Sequence, residues 1–121
     1  MPASTFRDLT VYKKAFALAM EIFELTKRFP PEEKYALISQ IRRSSRAVCA
    51  NSAEGFRKRQ YPAHFVAKAS DADAENTETQ VWLDFSLKCQ YIDQVQWETL
   101  TQKSEEVGRL LHHMILHPDK Y

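Results

Sequence analysis

The chain has 121 residues, of which 44% are hydrophobic and 27% charged, and its formal net charge is +1. Its length fits one domain with a single core, and its composition is ordinary for a soluble globular protein. It has only 2 glycines and no Asn-Gly or Asp-Gly pair, which argues against a hairpin-rich β fold and for an all-helical one.

Leu9, Tyr12, Ala15, Phe16, Ala19, Ile22, Phe23 and Thr26 recur at steps of three and four. That spacing predicts an amphipathic helix over 9–28, capped by Asp8 and stopped at Pro30-Pro31. A second helix is expected over 32–56. Pro31 suits its first turn, and Glu32 and Glu33 suit its positive end. Leu37, Ile38, Ile41, Ser45, Val48, Cys49, Ser52 and Phe56 form its core stripe. Small side chains such as Ala47, Ala50 and Ala53 would let a neighbouring helix come close. Gly55 would end this helix or sit in its last turn.

Pro62 opens a third helix, expected over 62–90, with Phe65, Ala69, Ala72, Asn76, Leu83 and Leu87 on one face. From Val81 to Cys89 the apolar residues point almost all round the helix. A helix apolar on every side is buried on every side. A four-helix monomer covers only part of each helix, so Val81, Trp82 and Phe85 are candidate contacts with another subunit. Tyr91-Ile92-Asp93 turns the chain into a fourth helix over 94–116. Its stripe includes Trp97, Leu100, Val107, Leu111 and Met114, and Pro118 ends it. Four helices of similar length joined by short loops give an all-α, antiparallel up-down-up-down bundle in one domain spanning 1–121.

The charge is unevenly spread. Residues 1–60 hold 12 Lys and Arg against 6 Asp and Glu, whereas residues 61–121 hold 5 against 10. Two readings follow: the halves attract one another within the fold, or a basic surface faces a nucleic acid. Arg42, Arg46 and Arg57 project from one side of the second helix, with Arg43 at its edge and Lys58 and Arg59 just beyond. These six are the candidate phosphate contacts for RNA or DNA. Their alternative role is a solvated face paired with acids of the third helix.

Other constellations are weaker. Asn51 and Glu54 lie one turn apart without a partner that would complete a catalytic set, so they are expected to be structural. The run from Asp71 to Asn76 resembles the start of a calcium loop, but the loop's glycine and final glutamate positions hold Asn76 and Trp82. His113 and His117 have zinc-compatible spacing but no second ligand pair, so no metal is expected. There is no phosphate-binding glycine loop and no nucleophile–base motif. An enzyme is therefore not expected, nor a cofactor. Cys49 and Cys89 both fall in apolar patterns and are expected to be buried, reduced thiols. The first residues lack a signal-peptide pattern, and no run reaches the roughly 18 apolar residues that cross a bilayer. A cytoplasmic protein without membrane contact is expected.

The chain resembles a known family, the small four-helix-bundle proteins encoded by intervening sequences of bacterial 23S ribosomal RNA genes. The resemblance rests on Phe6-Arg-Asp-Leu-Thr-Val-Tyr12, on Gln40-Ile-Arg-Arg-Ser-Ser45 and on Asn51-Ser-Ala-Glu-Gly55, where Asn51, Ala53, Glu54 and Gly55 form the signature. It extends through Phe65 and Ala69 to Glu78-Thr-Gln-Val-Trp-Leu-Asp-Phe85 and Tyr91-Ile92. It implies a bundle that assembles as a ring-like homo-oligomer, often a pentamer, with no agreed catalytic residues. The family is similar to the accessory variability determinant proteins of diversity-generating retroelements, a more basic branch that partners a reverse transcriptase and binds nucleic acid. The reading is a non-enzymatic homo-oligomeric interaction module that engages RNA or DNA through its basic strip. The alternative is a scaffold that assembles with protein alone.

Overall fold

The computed structural model describes residues 3–121. Four α-helices carry the fold: α1 (Thr10–Thr26), α2 (Leu37–Arg57), α3 (Pro62–Lys88) and α4 (Gln94–Leu116). Short 3-10 turns cover Phe6–Asp8, Pro31–Glu33 and Pro118–Lys120, and no strand occurs among the described residues. Each helix packs against its neighbours in sequence, and α1 closes the square against α4. α1 and α3 therefore run parallel on opposite corners of an up-down-up-down bundle.

Several helix ends differ from the sequence reading. Asp8 does not cap α1; Leu9 is the capping residue and offers no side-chain bond. Asp8 instead closes the preceding turn, where its carboxylate accepts from the backbone N–H groups of Ser4 and Thr5 and from the Ser4 hydroxyl. Those bonds hold its pKa below the usual carboxylate value, the Ser4 hydroxyl contributing most. α1 ends at Thr26, ahead of the prolines, because Lys27, Arg28 and Phe29 turn back with i→i−3 bonds. α2 begins at Leu37 rather than 32: Pro31–Glu33 forms a separate turn, and Ala36 leaves helical geometry at φ −121°, ψ −105°. α3 stops at Lys88 because Gln90 adopts a left-handed φ of 65°. The Gln90 and Tyr91 N–H groups then donate to Leu87 O and Ser86 O, the paired bonds of a Schellman cap. At α4, Asp93 accepts from Gln96 N while the Gln96 side chain accepts from Asp93 N, a capping box that fixes the start at Gln94.

All eight residues of the expected α2 stripe are buried, with Ser44 and Gly55 added. Gly55 is helical, and its missing side chain is what allows close approach: a Cβ there would lie 3.2 Å from Lys68 Cβ on α3. α1 differs. Leu9, Ala15, Ala19, Ile22 and Thr26 of its expected stripe are buried, Val11 and Leu18 join them, Tyr12 and Phe23 are half-buried, and Phe16 is left exposed. Cys49 is buried, but Cys89 is exposed, contrary to expectation, because it follows the end of α3 and lies off its core face.

The core has two apolar clusters. One gathers Leu9, Val48, Phe65 and Leu111 near the chain's ends; the other gathers Ile22, Ile41, Leu83 and Leu100 at the opposite end. Three helices pass between them through buried polar residues: Ser44 and Ser45 on α2, Asn76 and Thr79 on α3, Ser104 on α4. The Ser44 and Thr79 hydroxyls bond at 2.8 Å. Asn76 Nδ2 donates to Ser104 O at 2.8 Å, Ser104 Oγ donates to Asn76 Oδ1 at 2.9 Å, and Gln80 Nε2 donates to Ser104 Oγ at 3.0 Å. Such satisfied pairs set the sliding register of the helices, since a shift would leave each group buried without a partner.

Candidate interaction surfaces

The basic strip of α2 divides when its partners are traced. Arg42 turns inward toward the end of α1. Its Nε donates to Thr26 Oγ1 at 2.9 Å, its Nη2 to Phe23 O at 3.2 Å, and its guanidinium lies 4.6 Å from the Phe23 ring centre. It thereby serves one of the last carbonyls of α1, which has no helical partner. Arg43 reaches the opposite way and forms ion pairs with Glu75 and Glu78 on α3. The hydrogen bond to Glu75 is the largest cause holding its pKa above the ordinary arginine value. Arg46 is exposed, with Phe23 as its neighbour and no carboxylate among the described residues within ion-pair distance. Arg57 and Lys58 are likewise exposed and hold no ion pair among the described residues. Arg59 stacks 3.7 Å over Phe56 and donates to Phe56 O at 3.1 Å, which fixes its guanidinium at the end of α2. Two of the six candidate cations thus serve helix–helix contacts, and four face outward.

The signature residues also have structural partners. Asn51 donates to Ala47 O at 3.0 Å, and Glu54 pairs with Lys68 of α3 at 2.9 Å. That pairing raises the pKa of Lys68. Together Arg43–Glu75, Arg43–Glu78 and Glu54–Lys68 join the basic second helix to the acidic third. Intramolecular attraction between the two halves of the chain therefore accounts for part of the charge asymmetry.

The end of α3 presents an apolar ridge. Val81 is 42% exposed and Phe85 53% exposed. Trp82 is half-buried, its ring centre 5.8 Å from that of Phe85, and its indole N–H donates to Glu78 Oε2 at 3.2 Å. Beside them, Ala36, Leu37 and Gln40 of the α2 entry complete a shallow cleft that reaches Cys89. The fully exposed Tyr35 ring stands nearby in sequence, one residue before Ala36. α1 carries a second exposed apolar pair: Phe16, expected in the core, at 50% and Met20 at 44%. The available signal was that α1, like the end of α3, carries more apolar residues than one stripe can hold.

Catalytic features remain sparse. His113 and His117 bring their ring centres to 4.7 Å, but His113 Nδ1 bonds the Tyr121 hydroxyl at 2.7 Å. Among the described residues no cluster of three or more His, Cys, Asp or Glu side chains could hold a metal ion. Burial pushes the Cys49 thiol up to about 11, which suits an inert core residue rather than a nucleophile. No helix among the described residues is long and apolar enough to cross a membrane.

An all-α four-helix bundle with a polar waist, a divided basic strip and exposed apolar patches defines the class. The sequence matches the 23S rRNA-intervening sequence protein family over residues 7–113, and the chain belongs to that family. It is similar to the crystal structure of a protein of unknown function from the S23 ribosomal protein family of Bacteroides thetaiotaomicron. The two share 32% identity with a TM-score of 0.79, over 87% of this chain and 94% of that one. Among curated proteins none matches the chain.

Proposed function

We propose that this chain is a non-enzymatic interaction module that assembles with copies of itself and offers its outward cations to RNA or DNA. The observation that carries the assembly reading is the exposed ridge of Val81 and Phe85 beside half-buried Trp82. Contiguous exposed apolar groups on a small soluble bundle mark an interaction surface. Light scattering on the purified protein tests it: an assembled mass supports the reading, and a monomer at every concentration removes it.

A second observation favours phosphate as the further partner. Arg46, Arg57 and Lys58 are exposed without carboxylate partners among the described residues, and the Arg59 guanidinium is held over Phe56. The ridge lies beside the first turn of α2 and the Arg57–Arg59 cluster at its last. Those ends stand about 30 Å apart for a helix of 21 residues. Both surfaces can therefore be occupied together. Assembly would repeat the cluster and raise weak contacts to useful avidity. Oligonucleotide titrations across salt check this: affinity falling steeply with salt supports phosphate contacts. An assembled protein with no binding at low salt is the protein-only scaffold.

A further inference from the structure

We infer that the nucleic-acid partner is single-stranded, with an unpaired base stacked on Tyr61 and the flanking phosphates held by Arg57, Lys58 and Arg59; the inference rests on the phosphate reading above. Three observations carry it. First, the corner between α2 and α3 is basic with nothing to balance it. From Gly55 to Ser70 the chain holds Arg57, Lys58, Arg59 and Lys68 and no Asp or Glu. Lys68 pairs with Glu54 at 2.9 Å, which neutralises the last acid of α2. The other three cations are consecutive and hold no ion pair among the described residues. Every residue from Arg57 to His64 is exposed.

Second, an aromatic ring stands among these cations. Tyr61 is 57% exposed. It lies two residues from Arg59, so their Cα atoms are at most about 7 Å apart. Neither apolar cluster of the core includes it, and as the residue before α3 it makes no side-chain capping bond. Its backbone is nevertheless anchored. The Tyr61 N–H donates to Lys58 O at 2.8 Å, and Tyr61 O accepts from Phe65 N at 3.0 Å. His64 meets the ring edge-to-face, with the ring centres 5.9 Å apart. An exposed, anchored ring among cations receives an unstacked base while the cations take the phosphates on either side of it. Cations alone do not distinguish one strand from two. A duplex keeps its base faces stacked inside the helix and offers the ring nothing, whereas a single strand exposes them.

Third, Arg59 also lines a cavity of about 790 Å³ among the described residues, together with Phe56, Leu110, Met114, Lys120 and Tyr121. That volume falls within the roughly 300–1,000 Å³ of small-molecule sites, ample for an unpaired nucleotide. Asp8 is the one acid of its lining, and its carboxylate already accepts from Ser4 and Thr5. The Arg59 guanidinium is held 3.7 Å from the Phe56 ring centre with one N–H on Phe56 O, and its remaining N–H groups stay available to a phosphate. A strand bound at Arg59 therefore has both the Tyr61 ring and this recess within reach. A paired strand uses neither.

Fluorescence anisotropy with three labelled probes tests this: an unstructured oligonucleotide, the same sequence as a blunt duplex, and an abasic strand with the same number of phosphates. Helicity and melting serve as fold controls. The wild type is expected to bind the oligonucleotide more tightly than the duplex or the abasic strand. Tyr61→Ala is expected to weaken binding of the oligonucleotide about 5- to 100-fold. Its salt slope, its melting and its affinity for the other two probes should match the wild type, because no phosphate contact is lost. Tyr61→Phe keeps the ring and should keep the affinity. An unchanged oligonucleotide affinity in Tyr61→Ala, an equal loss on all three probes, or a wild-type preference for duplex overturns the single-strand assignment. So does a polyglutamate peptide that binds as tightly as the oligonucleotide, which would make the partner an acidic protein segment. Absence of binding to any of the three probes at low salt overturns the phosphate reading itself, whereas salt-dependent binding that is blind to Tyr61 overturns only the single-strand assignment.

Discussion

Asn76→Ala removes the centre of the polar waist. Asn76 is 2% exposed and exchanges two hydrogen bonds with Ser104, at 2.8 and 2.9 Å. Each buried bond contributes about 1 kcal/mol net. The fully buried Ser104 hydroxyl would lose its acceptor, and the vacated volume faces Gly108, whose hypothetical Cβ lies 3.3 Å from Asn76 Nδ2. Together these add about 1 kcal/mol, for a total loss of about 3 kcal/mol. At about 2.1 cal/mol/K of unfolding entropy per residue, that corresponds to a melting point lower by roughly 12 °C. Thermal and urea unfolding at fixed protein concentration would measure it. Ser104→Ala and the double variant complete a cycle whose coupling is expected to be about 1 kcal/mol, since both single changes break the Ser104 Oγ–Asn76 Oδ1 bond, while the Asn76 Nδ2 bond to the Ser104 backbone carbonyl survives Ser104→Ala. A loss below about 0.5 kcal/mol, or strict additivity, would refute the claim that this layer fixes helix register.

Gln90→Gly is expected to stabilise the fold by about 0.5–1 kcal/mol, because glycine takes the left-handed φ of 65° without strain; urea unfolding checks it. Gly55→Leu is expected to destabilise by about 1–3 kcal/mol, since atoms beyond a Cβ only 3.2 Å from Lys68 Cβ would part α2 from α3. A thiol reagent at neutral pH should modify one cysteine, the exposed Cys89, in the folded protein and two after denaturation. Burial keeps Cys49 protonated up to about 11. Arg42→Gln should lower stability, through the Phe23 and Thr26 contacts, with little effect on oligonucleotide affinity. Arg57→Gln should leave melting unchanged and reduce both affinity and its salt slope.

The α2 stripe was fully legible because its apolar and small residues occupy a single face, leaving the arginines the other. The α1 stripe was legible in part: Leu9, Ala15, Ala19, Ile22 and Thr26 are buried as expected, whereas Val11 and Leu18 were left out of it and Tyr12, Phe16 and Phe23 sit toward its edge. The helix carries apolar residues over more than one stripe's width, and the packing buries the Val11-Ala15-Leu18-Ile22 side in preference to the aromatic edge. The role of Arg42 lay beyond the sequence because its partners, Thr26 and Phe23 O, are on another helix and one of them is a backbone carbonyl. Cys89 was misplaced for want of the exact end of α3, which the left-handed Gln90 sets. Asp8 has the chemistry of a cap, but Ser4 and Thr5 lie within its reach and take it first. The excess of apolar residues near Val81 was visible in the sequence; the excess on α1 was hidden because Phe16 was counted within its core stripe.

Self-assembly through the α3 ridge is the central claim, and the mass of the Phe85→Glu variant beside the wild type, measured in solution at equal concentration, tests it most directly. Phe85 is 53% exposed, so the variant should keep its helicity and melting point. The account predicts an assembled wild type and a variant shifted to monomer; an unchanged variant mass, or a monomeric wild type, would contradict it.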